Sequence, residues 1–344
     1  MSVVGASAHN GAPGSKTFPK IELHVHLEGT VRAGTLLQIG QRNGVPLPAD
    51  SVDGLAGLYQ YRDFAHFVEV WRLTTRVLRT ERDFRQVVLD YAAEAASHGA
   101  VYIEGIFTPA EPAARGCDWD EVFTGYCDGA QQAAEEHGVR VRLTPDIPRG
   151  YPLEMAELTA RHAVAYRERG VVGVGLGGPE AEYPPEPFAR AFQIAREGGL
   201  GSVPHAGEGA GPGSVRGALD RLGADRIRHG IRAAEDPGLL RELAARGVVL
   251  DVCPISNLRT GVVGSLAEHP LPELAAAGIA CSVSTDDPAM FGTDLAADYG
   301  AALQLGVTAR DCYLAGQRGA LCDAQTKSEL HQIGEVFDWA GIGV

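Results

Sequence analysis

The sequence predicts a single α/β domain of the (β/α)8 TIM-barrel class, with extra helices after the first strand. Short apolar runs rich in β-branched residues alternate with segments of helical spacing, and eight such units follow one another along the 344 residues. Polar residues collect where several of the apolar runs end. Strands that are buried on both faces and separated by helices form a parallel sheet, and eight of these units close a barrel.

The first of the eight units is longer than a barrel requires. Its strand is expected at 21–26 and its helix at 33–43, but two more helical segments follow at 61–78 and 80–98. Thr80 and Asp83 have the spacing of a capping box at the start of the last segment. This helical excess follows a strand, which is where a barrel places its active-site loops.

The remaining units are shorter and more regular. Further strands are expected at 101–107, 139–145, 171–176, 200–205, 226–229, 248–253 and 279–284. Helices are expected at 118–137, 153–169, 187–197, 214–222, 238–246, 271–277, 295–321 and 327–339. We predict one barrel domain over residues 18–344, preceded by a mobile N-terminal tail over residues 1–17 that lacks the features of a secretion signal.

The composition excludes several classes of protein. With 30 basic and 44 acidic residues the chain has a net charge of −14, which argues against sequence-independent binding to nucleic acid or to an anionic membrane. The six cysteines include no CxxC pair, so a disulfide scaffold or a cysteine zinc knuckle is not expected. No apolar run is long enough to span a membrane. We expect a cytoplasmic protein that acts on a small molecule, and a homo-oligomer is compatible with the sequence.

Histidine and carboxylate side chains lie at the ends of predicted strands, where barrel enzymes carry their chemistry. Side chains alternate along a strand, so the two histidines that end the first strand point to the same side. The residues at strand ends are His24, His26, His205, Glu208, His229, Asp286 and Asp287. A single HxH motif is weak evidence, and Asp-Asp-Pro is an ordinary turn. Taken together, these residues predict a metal site.

The expected metal ligands are His24, His26, His205 and Asp286. The eighth strand lies beside the first in a closed barrel, and the fifth faces them across the mouth. Three neutral imidazoles and one carboxylate suit Zn²⁺ and leave a position for water, whose pKa the metal would lower toward neutrality. One zinc is expected, because binuclear barrels commonly bridge two metals with a lysine on the fourth strand. No lysine lies between positions 20 and 327.

These motifs resemble the adenosine deaminase family of metal-dependent barrels. The matching segments come in the family's order and span most of the chain. They are HVHLEG at 24–29, the glycine at 178, HAGE at 205–208, HG at 229–230, CPISN at 253–257 and STDDP at 284–288. Their combination is highly specific for the family.

The resemblance implies a hydrolase that removes the 6-amino group of an adenine compound as ammonia. It implies that Glu208 is protonated and delivers its proton to purine N1, and that His229 holds and deprotonates the water. It also implies that Asp287 hydrogen-bonds to N7 and that the Gly178 backbone contacts N3. A neutral carboxylic acid at Glu208 requires a raised pKa, which a dry pocket would provide.

Departures from the family pattern bear on the substrate. Glu28 stands where adenosine deaminases usually carry an aspartate that meets the ribose 5′ end, and the segments 145–150 and 177–182 also differ. The chain most resembles a bacterial branch that acts on aminodeoxyfutalosine, in the futalosine route to menaquinone. Adenosine and adenine are the alternative substrates, and a non-catalytic purine-binding barrel is a distant alternative.

The carboxyphenyl tail of an aminodeoxyfutalosine substrate would need a cationic partner and an apolar slot. Arg149, after the third strand, and Arg62, in the helical excess, are the candidate cations. Phe64, Phe67 and Trp71 are candidates for the slot, although their helical spacing is more typical of a core.

Overall fold

Parallel strands form a barrel that is interrupted once. The computed structural model describes residues 17–61 and 64–342, the side chains of residues 64–68 excepted. Its strands are β1 (Lys20–His26), β2 (Ala100–Phe107), β3 (Arg140–Pro148), β4 (Gly173–Gly177), β5 (Gly201–Ser202), β6 (His205–Ala206), β7 (Arg226–His229), β8 (Val249–Val252) and β9 (Ala280–Val283). All of the pairings between them are parallel.

The strand order shows how the barrel closes. One run of paired strands is β1-β2-β3-β4-β5 and the other is β6-β7-β8-β9. β5 and β6 are two parts of the fifth barrel strand, separated by Val203 and Pro204. Hydrogen bonds from Val203 to β4 and from β7 to Pro204 continue the pairing across this gap. The last strand meets the first through a parallel bridge between Val25 and Asp286.

Helices surround the barrel. They are α1 (Ala33–Arg42), α2 (Val52–Ala56), α3 (Phe64–Arg76), α4 (Glu81–Ser97), α5 (Ala110–Ala114), α6 (Trp119–His137), α7 (Leu153–Ala165), α8 (Ala189–Glu197), α9 (Pro212–Arg221), α10 (Pro237–Arg246), α11 (Pro254–Arg259), α12 (Leu271–Ala276), α13 (Pro288–Phe291), α14 (Leu295–Gln304), α15 (Ala309–Gly319) and α16 (Ala324–Val336). Short 3₁₀ turns occur at Leu27–Thr30, Gly57–Tyr59, Arg167–Arg169, Glu186–Phe188, Ile231–Glu235 and Leu266–Glu268. No helix in the described part of the chain combines the length and the apolar character needed to cross a bilayer.

The predicted fold class is confirmed, and most elements lie within a few residues of their predicted bounds. The capping box of α4 is present. The prediction of one helix over 295–321 was wrong, because Gly306 takes a φ of 84° and Thr308 begins a second helix as its N-cap. The short helices α2, α5, α11 and α13 were not predicted. The predicted tail over residues 1–17 lies outside the described residues except for Thr17.

The helical excess after β1 packs over one side of the barrel mouth. α13, which directly follows the strand-end aspartates, contributes Met290 and Phe291 to a buried apolar cluster with Val70 of α3. Tyr61 and Trp71 pack against this cluster, and the Tyr61 hydroxyl donates to Met290 Sδ at 3.1 Å. The first unit therefore places aromatic side chains beside the end of β9.

Candidate active site

Backbone hydrogen bonds bring Asp286 between His24 and His26. The Asp286 N–H donates to the His24 carbonyl at 3.0 Å, and the His26 N–H donates to the Asp286 carbonyl at 2.7 Å. Asp286 has a φ of 65°, a left-handed conformation that is uncommon for a residue with a side chain. The turn directs its carboxylate inward, where Oδ1 lies 3.3 Å from Nε2 of both histidines.

His205 completes a cluster of four side chains. It begins β6, and its Nε2 lies 3.2 Å from Nε2 of His26. Donor atoms of His24, His26, His205 and Asp286 all lie within 4.8 Å of one another. The structure therefore brings together the four residues that the sequence predicted as metal ligands.

The hydrogen bonds around this cluster leave its nitrogens suited to a metal. His205 Nδ1 lies 3.0 Å from the Leu176 carbonyl, which only accepts, so Nδ1 carries the proton and Nε2 presents a lone pair. His24 Nε2 is buried and makes no hydrogen bond within the described residues. Burial lowers the pKa of both rings well below the usual value, which favours neutral imidazoles. A shared cation would satisfy these lone pairs together with the Asp286 carboxylate, so the cluster fits a metal ion.

Glu208 lies next to this cluster on a loop held by a second carboxylate. Both oxygens of the buried Glu180 accept backbone N–H groups, at 2.6 to 3.0 Å, from the four consecutive residues 207–210. Glu208 Oε2 lies 3.5 Å from His229 Nε2. Burial raises the pKa of the Glu208 carboxyl, although nearby His229 acts in the opposite direction. The raised pKa favours the neutral acid that the family resemblance implies.

Asp287 and Gly29 lie beside the metal cluster, and Gly178 follows β4 at another part of the barrel mouth. Asp287 Oδ1 is buried without a hydrogen-bond partner in the described part of the chain. Burial raises the pKa of this carboxyl well above its usual value, and the neighbouring Asp286 adds to the shift. A Cβ at Gly29 would lie 1.9 Å from Asp287 Oδ1, so only glycine permits this approach. Gly178 has a φ of 103° at the end of β4, a conformation that also favours glycine.

The remaining predicted substrate residues have different surroundings. Glu28 is buried beside β2, where its Oε1 accepts the Thr108 N–H at 2.7 Å, and burial raises its pKa to about 7. Arg149 is also buried, and its guanidinium donates to the carbonyls of Tyr183, Leu176 and His205. Contact of either residue with a substrate stays a prediction. Arg62 lies outside the described residues.

Several residues that surround the site were not predicted from the sequence. Ser256 donates to Asp286 Oδ2 at 2.6 Å. Asp146 lies 3.4 Å from His205 Nδ1. Asn257 lies between His229 and His269. Ser256 and Asn257 belong to the CPISN motif, so a signal for them was present in the sequence, whereas Asp146 and His269 have no spacing that distinguishes them.

Comparison with known proteins establishes the family. A family model described as adenosine deaminase matches residues 19–336. The chain belongs to the adenosine deaminase family. An aminodeoxyfutalosine deaminase from Acidothermus cellulolyticus is 54% identical over 331 residues, which cover 94% of this chain and 93% of that protein. An adenine deaminase from Streptomyces coelicolor is 40% identical over 275 residues, which cover 80% of this chain and 81% of that protein.

A solved structure agrees with the family assignment. The adenine deaminase from Arthrobacter aurescens superposes with a TM-score of 0.86 at 31% identity, covering 92% of this chain and 98% of that one. The predictions of the family, of the barrel and of a hydrolytic deaminase are therefore confirmed. This family typically binds a divalent metal, and the cluster of three histidines and Asp286 is the candidate site for it.

Proposed function

We propose that the protein hydrolyses the 6-amino group of an adenine nucleoside, with aminodeoxyfutalosine as its substrate and one Zn²⁺ held by His24, His26, His205 and Asp286. The observation that carries the chemistry is the convergence of these four ligands beside Glu208 and Asp287. The choice of substrate is supported by the 54% identity to an aminodeoxyfutalosine deaminase, against 40% for an adenine deaminase. Adenine and adenosine are the competing substrates.

The two carboxyl groups beside the metal cluster would recognise and activate the purine. Purine N1 and N7 are acceptors, so each needs a donor, and a carboxyl group donates only when it is protonated. Glu208 would donate its proton to N1, which makes C6 electrophilic, and Asp287 would donate a hydrogen bond to N7. The raised pKa of both groups agrees with these roles.

Water supplies the oxygen of the product. When bound, zinc acts as a Lewis acid that lowers the pKa of a water molecule toward neutrality. His229 Nε2 lies 3.5 Å from Glu208 Oε2 and 3.8 Å from Asp286 Oδ2. From this position His229 would hold the attacking oxygen next to C6 of the purine. The water oxygen would add to C6 while N1 takes the proton of Glu208, and the C6–N6 bond would then break. One water proton would leave with the amino group as ammonia, and the other would restore the acid at Glu208, so the product keeps the oxygen at C6 and a proton at N1.

The apolar cluster beside the end of β9 would take the aromatic tail of the substrate. Met290 and Phe291 lie in α13, which begins directly after Asp287. Tyr61 and the half-buried Trp71 pack on the same cluster. A nucleoside whose base contacts Asp287 would therefore have aromatic side chains within reach of its 5′ substituent.

A substrate panel tests the proposed function. Protein loaded with zinc is given adenine, adenosine and aminodeoxyfutalosine, and the loss of amino-purine absorbance is followed together with ammonia release. We expect kcat/KM for aminodeoxyfutalosine to exceed the other two values by at least roughly tenfold. Glu208→Gln is the matched control, with an expected loss of about 10²-fold or more in kcat and unchanged folding.

Each result of the panel has a distinct meaning. A clear preference for adenine or adenosine would refute the proposed substrate and leave the deaminase chemistry in place. Release of no ammonia from any of the three compounds would refute the function and favour a purine-binding protein. Near-normal turnover by Glu208→Gln would remove Glu208 from the mechanism.

Substitution of Arg149 tests whether this residue binds the carboxylate of the substrate's 5′ tail. If its guanidinium binds the tail carboxylate, Arg149→Ala should reduce kcat/KM for aminodeoxyfutalosine roughly tenfold or more and leave adenosine turnover almost unchanged. If its main contribution is to hold the His205 carbonyl, at 2.8 Å, both substrates should lose activity equally. Arg190→Ala, on the outer helix α8, is the control for loss of a positive charge.

A further inference from the structure

A chain of hydrogen bonds leads from the backbone to His229. It runs from the Leu271 N–H to His269, from His269 to Asn257, and from Asn257 to His229. We propose that His269, acting through Asn257, fixes the tautomer of His229 so that Nε2 carries the proton and faces the reacting atoms. His269 and Asn257 are then positioning residues. The assignment deepens the proposed function, since His229 belongs to the proposed active site.

The first bond of the chain determines the state of His269. The Leu271 N–H lies 3.1 Å from His269 Nδ1, and a backbone N–H only donates. Nδ1 must therefore present a lone pair, and the proton of the neutral ring is on Nε2. Burial lowers the pKa of His269 to about 4, with nearby His229 adding to the shift, so the ring is neutral near pH 7.

The second and third hydrogen bonds of the chain determine which nitrogen of His229 accepts. His269 Nε2 lies 3.2 Å from Asn257 Oδ1, which accepts its proton. The opposite amide orientation would place two donors against each other, so the side-chain nitrogen of Asn257 must face His229. That nitrogen lies 3.2 Å from His229 Nδ1 and donates to it. All three side chains are buried, so water cannot compensate for a mismatched bond.

The consequence lies on the other side of the His229 ring. Because Nδ1 accepts from Asn257, the proton of neutral His229 is on Nε2, which faces Glu208 Oε2 at 3.5 Å and Asp286 Oδ2 at 3.8 Å. His229 would therefore hold the attacking oxygen by donating a hydrogen bond. This differs from the role of base that the family resemblance implies.

The proposal is tested by nitrogen NMR of the zinc-loaded protein labelled with ¹⁵N-histidine. Comparison with His229→Gln identifies the His229 signals among those of the eleven histidines. We expect a protonated, pyrrole-type shift at Nε2 and a bare, pyridine-type shift at Nδ1. The reverse pattern, or two protonated nitrogens, would overturn the proposal. The spectrum does not depend on activity, so failure of the proposed function would be seen separately.

Variants of the two positioning residues extend the test. Asn257→Asp offers an acceptor in place of the amide donor, so Nδ1 of His229 should become protonated. His269→Leu should remove the hydrogen bond that orients the Asn257 amide, so both tautomers of His229 should be populated. We expect kcat to fall roughly tenfold and KM to change little. His269→Gln, which retains a side-chain N–H donor, should restore the wild-type tautomer and most of the turnover. His331→Leu, on the surface, is the control.

These variants also separate a positioning role from a merely structural one. If His269→Leu and His269→Gln lose activity equally while the His229 spectrum stays unchanged, His269 does not set the tautomer. If Asn257→Asp fails to fold, the wild-type spectrum and the two His269 variants decide the question without it.

Discussion

Two residues with side chains, His229 and Asp286, hold φ angles of 59° and 65° among the described residues. Such angles cost free energy in residues other than glycine and persist where the surrounding structure imposes them. His229 is the last residue of β7, whereas Asp286 lies in the turn after β9, and His229 Nε2 lies 3.8 Å from Asp286 Oδ2. Hydrogen bonds to neighbouring parallel strands hold both backbones in place, including those of the bridge between Asp286 and Val25. The strain therefore coincides with the candidate site.

Asp298 should make the stability of the protein depend on pH. This buried carboxyl accepts the Ile255 N–H at 3.0 Å and the Thr293 hydroxyl at 2.8 Å. Burial raises its pKa from 3.8 to about 8. The folded state keeps the proton that the unfolded chain releases, so its contribution to stability is full below about pH 4 and decreases as the pH rises to about 8.

The Asp298→Asn variant isolates this effect, because an amide resembles the neutral acid and does not titrate. We expect its free energy of unfolding, relative to wild type, to be higher at pH 8.5 than at pH 5, as measured by urea denaturation. Asp220→Asn, an exposed control, should show no comparable trend. A relative stability of Asp298→Asn that falls with rising pH would mean that Asp298 is ionised in the folded protein.

Single residues show which parts of the site a sequence can predict. His24, His26, His205 and Asp286 were predictable, because period-two spacing and strand ends determine their position. Asp146 and His269 were not, because a side chain that orients another residue needs only to touch it in space. No regular spacing along the chain marks such a contact.

At the scale of elements, the predicted rhythm of strands and helices was right where periodicity is strong and wrong where the chain is interrupted. The fifth strand was predicted as one run over 200–205, but Pro204 has no N–H to offer the ladder and divides it into β5 and β6. This break lets His205 begin a separate segment that faces the site. The spacing of apolar residues alone does not predict where a strand is interrupted in this way.

The start of α4 depends on one buried carboxylate. Asp83 accepts the backbone N–H groups of Arg79 and Thr80 at 3.0 and 2.9 Å. It also accepts the side chains of Arg42 and Asn43 from α1 and the residue after it. Each of these partners is a donor, so the side chain at position 83 must only accept. The same residue therefore caps α4 and joins it to α1.

Replacing Asp83 with asparagine should destabilise the fold. Asp83→Asn places an NH₂ group against donors and leaves the partly exposed Arg42 without its counter-charge, so we expect a loss of about 2–3 kcal/mol. Asp90→Asn, an exposed substitution in the same helix, should cost less than about 0.5 kcal/mol. Chemical denaturation measures both. Equal costs would show that the cap contributes little.

At the scale of the whole molecule, buried ion pairs join strands inside the barrel. Arg226 of β7 pairs with Glu104 of β2 and Asp251 of β8, and it donates to the carbonyl of Leu23 in β1. All three charged side chains are buried. Buried charges require complete pairing, so this network favours one arrangement of the four strands and acts below the metal cluster to position the strand ends.

A bound metal would join the strands at the upper end of the same barrel. Its ligands come from β1, from β6 and from the turn after β9, so one ion would link the first and last strands to the fifth. An ion that binds only the folded state stabilises it by mass action, by about 4 kcal/mol at a free concentration of about 1,000 times Kd. Removal of the metal should therefore lower Tm as well as abolish activity.

Chelation followed by readdition of zinc tests this link between the site and the barrel. We expect elemental analysis to give about one zinc per chain, and Tm of the stripped protein to fall and recover with about one equivalent of zinc. His205→Ala should lose both the metal and the recovery, whereas His229→Ala should keep the metal, since His229 is not among the proposed ligands. Two essential metals per chain would refute the mononuclear site. A Tm that does not change on stripping would show that the ion contributes to chemistry without closing the barrel.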